Sequence, residues 1–207
     1  YLHATGKTKK RAFTVETKGG LVSIALHLDR HGDAAAATVE MGRATFQPSA
    51  LPCTLTIDEL IQQPIEAAGR SLQFTGVSVG NPHCVIFKQP GEAWTREDLL
   101  TLGPALENHS LFPKRTNVQL AVPTGPKDIF ILIWERGAGE TQASGSSSCA
   151  AASAAVRLGL VKGPVTVKMP GGTLNIEVAQ DFSLTMKGPV AEVARGALSP
   201  SFVRGLK

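Results

Sequence analysis

Cysteine, tyrosine and tryptophan are scarce in this chain, and each shortage removes a class of function. The three cysteines, Cys53, Cys84 and Cys149, stand far apart and are odd in number. There is no CxxC pair and no Cys/His spacing that suits zinc. Neither a metal site nor a disulfide framework is expected, and a reducing cytoplasm is the economical location. One tyrosine and two tryptophans in 207 residues supply no row of aromatic faces on which nucleic-acid bases could stack. Long apolar runs are also missing. The longest candidate, DIFILIW at 128–134, falls far short of the roughly 20 residues of a membrane span. No nucleic-acid or membrane partner is therefore expected.

The net charge is +4, and its one local cluster is Lys7, Lys9, Lys10 and Arg11. Without interleaved aromatics it reads as a solvated loop leading into a strand. The opening YLHATGKTKKR carries no secretory-leader pattern and reads as the last turn of a helix. The beginning of the domain is therefore expected upstream of Tyr1.

Short alternating segments dominate the rest. AFTVETKGGLVSIAL (12–26) reads as two strands with a turn at Gly19–Gly20, and AATVEMGRATF as a strand ending at Gly42. QPSALP (47–52) is a connector, and TIDELIQQPIEAAG (56–69) stays open between helix and strand. LQFTGVSVGNPHCVIF gives two strands broken at Gly80–His83. TREDLLTLGPALEN gives a helix with Thr95 as N-cap and Glu97 and Asp98 in its first turn. TNVQLAV and DIFILIW are strands about the turn PTGPK. An alanine-rich helix is expected over Ser146–Leu158, closed by Gly159. A hairpin about Pro170–Gly172 follows, and then the last strands in FSLTMKGPVAEVARGAL. Many strands with two or three helices imply an α+β fold, a strongly curved sheet wrapped around one helix.

Three turns carry candidate chemistry. In WERGAGETQASGSSSC (134–149) a small-residue turn enters the alanine-rich helix. Free N–H groups at a helix N-terminus favour an anion, with Gly145 permitting close approach and Ser146, Ser147 and Ser148 offering hydroxyls. A plain serine cap fits the same stretch. Gln142 excludes both the third glycine of a dinucleotide fingerprint and the glycine of a nucleophile elbow around Ser144. Glu135 and Arg136, at a strand end, point to opposite faces. They could hold an ammonium and a carboxylate, or form a surface pair of little value. In GNPHCV, Asn81 and Pro82 set His83 in a defined place. Asn117 enters a strand in KRTNVQL and by itself says nothing.

Taken together, VEMG (39–42), VSVGNPHCVIF (77–87), LGPALENHSLFPKRTNVQ (102–119), WERGAGET (134–141) and MKGPVAEV (186–193) resemble the diaminopimelate epimerase family, pyridoxal-independent enzymes of lysine and peptidoglycan synthesis. The resemblance covers nearly the whole chain. It implies two pseudo-symmetric halves, each a curved, mostly antiparallel sheet around a central helix, with the first half incomplete here. Residues 1–48 would be the remainder of the N-terminal half, 49–186 the C-terminal half, and 187–207 a terminal strand returning to the first. It further implies LL-to-meso epimerisation at an α-carbon without cofactor, by two-base proton transfer between cysteines near helix N-termini, and a homodimer. Carried over by position, Asn81, Asn117, Glu135, Arg136, Gly145 and Ser146 would bind a small amino-acid substrate. His83 and Glu135 would assist the proton transfers.

One departure stands out: the family's ACGTGAC is ASGSSSC here, so Ser144 occupies the position of the second catalytic cysteine. Ser146, Ser147 and Ser148 differ as well, which favours natural divergence of the turn over a single engineered Cys-to-Ser change. A hydroxyl is a far weaker acid than a thiol and needs an adjacent base. Cys149 lies a rotation of roughly 140° further round the helix, and strand alternation turns Cys84 away from His83, so neither is expected to replace it. The family's first cysteine would lie upstream of Tyr1. A divergent racemase of another amino acid, or a non-catalytic binding protein on the same scaffold, are the alternative readings.

Overall fold

A computed structural model describes residues 1–17 and 20–206. β1 (Ala12–Thr17) and β2 (Gly20–Leu28) pair antiparallel, with Phe13 opposite Ile24 and Val15 opposite Val22, so the alternating apolar side chains share one face. Of the turn expected at Gly19–Gly20, Gly19 lies outside the described residues. β3 (Ala34–Arg43) follows, then a short 3₁₀ turn at Pro48–Ala50 in the expected connector. The segment left open at 56–69 has no helix: it runs irregularly into β4 (Gln63–Ala67). Next come β5 (Arg70–Ser78), β6 (Pro82–Phe87) and α1 (Arg96–Glu107), then β7 (Asn117–Gly125), β8 (Asp128–Glu135) and the short β9 (Gly139–Thr141). α2 (Gly145–Arg157), β10 (Val165–Met169), β11 (Gly172–Val178), β12 (Ser183–Pro189) and α3 (Pro200–Arg204) complete the chain.

All the strands belong to one sheet of order β1-β2-β3-β12-β11-β10-β8-β7-β6-β5-β4, with β9 on β8. A further bridge joins Thr45, just past β3, to Ser78 at the end of β5. It closes the stretch from β3 round to β5 into a ring. α2 runs through that ring and touches β5, β6, β7, β8, β10, β11 and β12. This is the α+β arrangement of a curved sheet about one helix.

The alanines of α2 follow from that position. Ser147 through Ala155 are all buried, and only small side chains let a helix fit inside a ring of strands on every side. Enlarging one of them would overpack the core at a cost of about 1–3 kcal/mol. Around α2 the inner core takes Val77, Val85, Ala121, Ile129, Ile131 and Ile133. The opposite strand faces give Cys84, Ile86, Val118, Leu120 and Leu132 to a second core beneath α1, with Leu99, Leu102 and Leu106. Residues 129–134 of DIFILIW are continuously apolar because β8 is covered on both faces.

α1 begins with the expected cap: Thr95 Oγ accepts the Asp98 N–H at 3.1 Å, and the Asp98 carboxylate accepts the Thr95 N–H at 3.0 Å. The opening residues make one helical turn, Thr5 N–H to Tyr1 O at 2.9 Å. The C-terminal expectation needs correction. β12 is the single strand of 182–198, and Val190 onward is exposed chain leading to α3. Pro189 lacks an N–H, the Val190 N–H makes a last bond to Ala35 O at 3.0 Å, and beyond it Val193 is 96% exposed, with no packed face to hold a further strand among the described residues. β12 itself pairs with both β3 and β11 and so stitches the first three strands to the ring. Among the described residues no helix is long and apolar enough to cross a membrane.

Candidate active site

Strand alternation fixes where the candidate side chains lie. On β6, Val85 belongs to the inner core and Cys84 and Ile86 to the outer one, so His83 shares the inner face. On β7, Ala121 is inner and Val118 and Leu120 outer, which puts Asn117 and Gln119 inside. On β8, Ile131 and Ile133 are inner, which carries Glu135 to the same side. β6 and β7 run parallel with His83 opposite Asn117, and β8 runs antiparallel to β7. The starts of β6 and β7 therefore meet the end of β8. α2 begins at this mouth of the ring, because Gln119 Nε2–H donates to Ser147 Oγ at 3.0 Å.

Each side chain is held by specific bonds. Asn117 Nδ2–H donates to Pro82 O at 2.8 Å, and its Oδ1 accepts the Arg136 N–H at 2.9 Å. The amide thus joins the GNPH turn to the ERGAG turn. Arg136 also donates from its guanidinium to Lys114 O at 3.2 Å. His83 Nε2 lies 2.9 Å from Asn81 Oδ1. Its ring is fully buried, and that desolvation lowers the pKa to about 3. The facing Gln119 amide opposes the shift without reaching hydrogen-bond geometry, and the Arg136 charge adds to it. His83 is consequently neutral at physiological pH.

At the start of α2, Ser144 is the N-cap. Its Oγ lies 3.5 Å from Ser146 Oγ and accepts the Ser147 N–H at 3.4 Å, and its carbonyl accepts the Ser148 N–H at 3.1 Å. The Gly145 and Ser146 N–H groups have no partner among the described residues, and they carry the positive end of the helix dipole. A Cβ added to Gly145 would stand 3.0 Å from Met186 Sδ, so the turn is packed against β12. Three buried side-chain atoms lack a hydrogen bond among the described residues: His83 Nδ1, Gln119 Oε1 and Thr141 Oγ1. All three lie on strands converging on this mouth.

The fold therefore gathers Asn81, His83, Asn117, Glu135, Arg136, Ser144, Gly145 and Ser146 at one end of the ring. Neither cysteine reaches it. Cys84 sits in the outer core, where burial raises its thiol pKa. Cys149 sits in the inner core, its thiol pushed up to about 12 by burial. Two polar residues beside this end of the ring carry little sign in the sequence. Gln119 reads as one polar residue in a strand. Glu107 continues the spacing of Leu99, Leu102, Gly103 and Leu106 along the buried face of α1, a charge on an apolar stripe, and that spacing could have disclosed it.

The sequence profile of the diaminopimelate epimerase family matches residues 75–193. The diaminopimelate epimerase of Desulfitobacterium hafniense is 36% identical over 199 residues, 96% of this chain and 69% of that protein. The chain belongs to the diaminopimelate epimerase family. Diaminopimelate epimerase 2 of a Nostoc species is 40% identical over 200 residues, covering 96% of this chain and 67% of that one. Among solved structures, a hydroxyproline epimerase from Agrobacterium vitis superposes with a TM-score of 0.63 at 15% identity, covering 91% of this chain and 60% of that one. That likeness concerns the fold alone.

Proposed function

We propose that the chain serves the epimerisation of diaminopimelate at an α-carbon, LL to meso, in lysine and peptidoglycan synthesis. The observation that carries this reading is family membership over 96% of the chain, together with the gathering of GNPH, TNV and ERGAG at the N-terminus of a buried helix. The Gly145 and Ser146 N–H groups suit one carboxylate of the substrate. Glu135, Arg136, Asn81 and Asn117 suit the charges of an amino-acid zwitterion. The reaction removes the α-proton from one face and returns a proton to the other. His83, neutral and hydrogen-bonded, would contribute as an orienting partner, and Glu135 as a carboxylate acceptor. Ser144 stands at one face as a hydroxyl, a poor proton donor, so slow turnover is part of the proposal.

Residues 49–186 are read as one half of the two-half fold and 1–48 as part of the other, with 187–207 returning to it. The pairing of β12 with β3 supports this division. A homodimer in the cytoplasm is proposed with it. The experiment is incubation with LL-diaminopimelate and chiral chromatography of the product. Formation of the meso isomer is expected. Tight binding without any meso product would favour the non-catalytic alternative, and failure to bind would overturn the substrate.

A further inference from the structure

Glu107, the last residue of α1, is 5% exposed and is not among the residues gathered at the mouth of the ring. Its Oε2 accepts the Trp134 indole N–H at 2.8 Å. Its Oε1 accepts the Gly137 N–H at 2.8 Å and a guanidinium N–H of Arg115 at 3.1 Å. The Glu107 carbonyl also accepts the Thr116 N–H at 3.3 Å, next to Asn117. Two of the three side-chain donors flank Glu135 and Arg136 in the chain. The third comes from the loop whose Lys114 carbonyl holds the Arg136 guanidinium.

Packing reinforces the same anchor. Trp134 lies against α1 so closely that a Cβ on Gly103 would meet its Cδ2 at 2.6 Å, and a Cβ on Gly139 would stand 3.7 Å from the far edge of the ring. A buried carboxylate is costly unless its lone pairs are filled. Here an indole, a backbone amide and an arginine fill them, and all three belong to segments that frame the mouth of the ring. Burying a carboxylate is a poor way to gain stability alone, since an apolar side chain of similar size would serve. An acceptor that can collect divergent N–H groups is what sets the geometry of a loop.

We propose that Glu107 is a positioning residue: its carboxylate locks residues 134–139 in the one conformation that presents Glu135 and Arg136 to the substrate. The proposal rests on the assignment of Glu135 and Arg136 to substrate recognition. Glu107→Gln is nearly isosteric but turns an NH₂ group towards either the indole or the Gly137 and Arg115 donors, so the Trp134 bond is lost, or the other two together.

The test compares the whole protein with Glu107→Gln, Arg136→Ala and the double variant. Hydrogen–deuterium exchange of peptides from 134–141 and 146–157 is measured, together with calorimetric binding of meso-diaminopimelate. In Glu107→Gln, exchange over 134–139 is expected to rise about tenfold while α2 is unchanged, and the affinity to fall about tenfold. In the Arg136→Ala background the second effect should largely vanish, because one pathway cannot be lost twice. Unchanged exchange in the loop overturns the proposal, as do binding losses that simply add. Loop exchange that responds in a protein that binds no diaminopimelate supports the lock and overturns the substrate reading instead. Should Glu107→Gln fail to fold, Glu107→Asp, which keeps the charge but shortens the reach, is put through the same cycle.

Discussion

Asn117 Oδ1 accepts the backbone N–H of Arg136 at 2.9 Å. Because the same amide donates to Pro82 O at 2.8 Å, one side chain spans two turns that are separate in the sequence and adjacent in the sheet. An asparagine that is silent in the sequence thus becomes the tie between the His83 turn and the Arg136 turn.

Replacing Asn117 with alanine takes a donor from the buried Pro82 carbonyl and the acceptor from the part-buried Arg136 N–H. The expected loss is about 1–3 kcal/mol of stability, read from urea unfolding. A fall in diaminopimelate affinity that exceeds the effect of stability is also expected, since both turns are released. Unchanged affinity in a folded Asn117→Ala protein would show that the tie has no bearing on recognition.

Gly103→Ala tests the seat of Trp134. The added methyl would lie 2.6 Å from the indole Cδ2, a distance no packing tolerates, so the ring must shift away from α1. Overpacking of this kind costs about 1–3 kcal/mol. Trp134 fluorescence should move to longer wavelength as the indole loses its hold on Glu107. A variant with wild-type stability and spectrum would refute the packing described.

Much of this arrangement was legible in the sequence. Alternation in 12–26 and in GVSVGNPHCVIF marked the strands, Thr95 with Asp98 marked the start of α1, and the alanine run marked a helix enclosed on all sides. The residues of the site were reached through GNPH and ERGAGET, whose neighbourhood in space follows from the sheet order. What stayed hidden depends on distant partners. Glu107 acquires its role only when Arg115, Trp134 and Gly137 fold onto it. The Gln119–Ser147 bond joins residues that only the wrapping of the sheet around α2 brings together. The tail after Pro189 reads as strand because it alternates loosely, yet its ladder stops at one bond, Val190 N–H to Ala35 O.

The pH dependence of stability isolates His83. Its pKa falls on folding from the ordinary value to about 3, so below about pH 6.5 the unfolded chain binds a proton that the folded chain refuses. Stability is full above that pH and declines as pH falls towards 3, by up to about 1.4 kcal/mol per pH unit from this group. In His83→Gln the decline between pH 6.5 and 4.5 should be shallower by that slope. Parallel unfolding curves for the two proteins would contradict a neutral, buried His83.

The most direct test of the central claim is α-proton exchange. The protein and its Ser144→Cys variant are incubated with LL- and meso-diaminopimelate in D₂O, and deuterium at the α-carbon is followed by mass spectrometry. Slow exchange with epimerisation is expected in the wild type, and a clear acceleration on restoring the thiol. That gain should appear despite the loss of about 1 kcal/mol of helix-cap stability. No exchange in either protein, with either isomer, would contradict an epimerase site at this end of the ring.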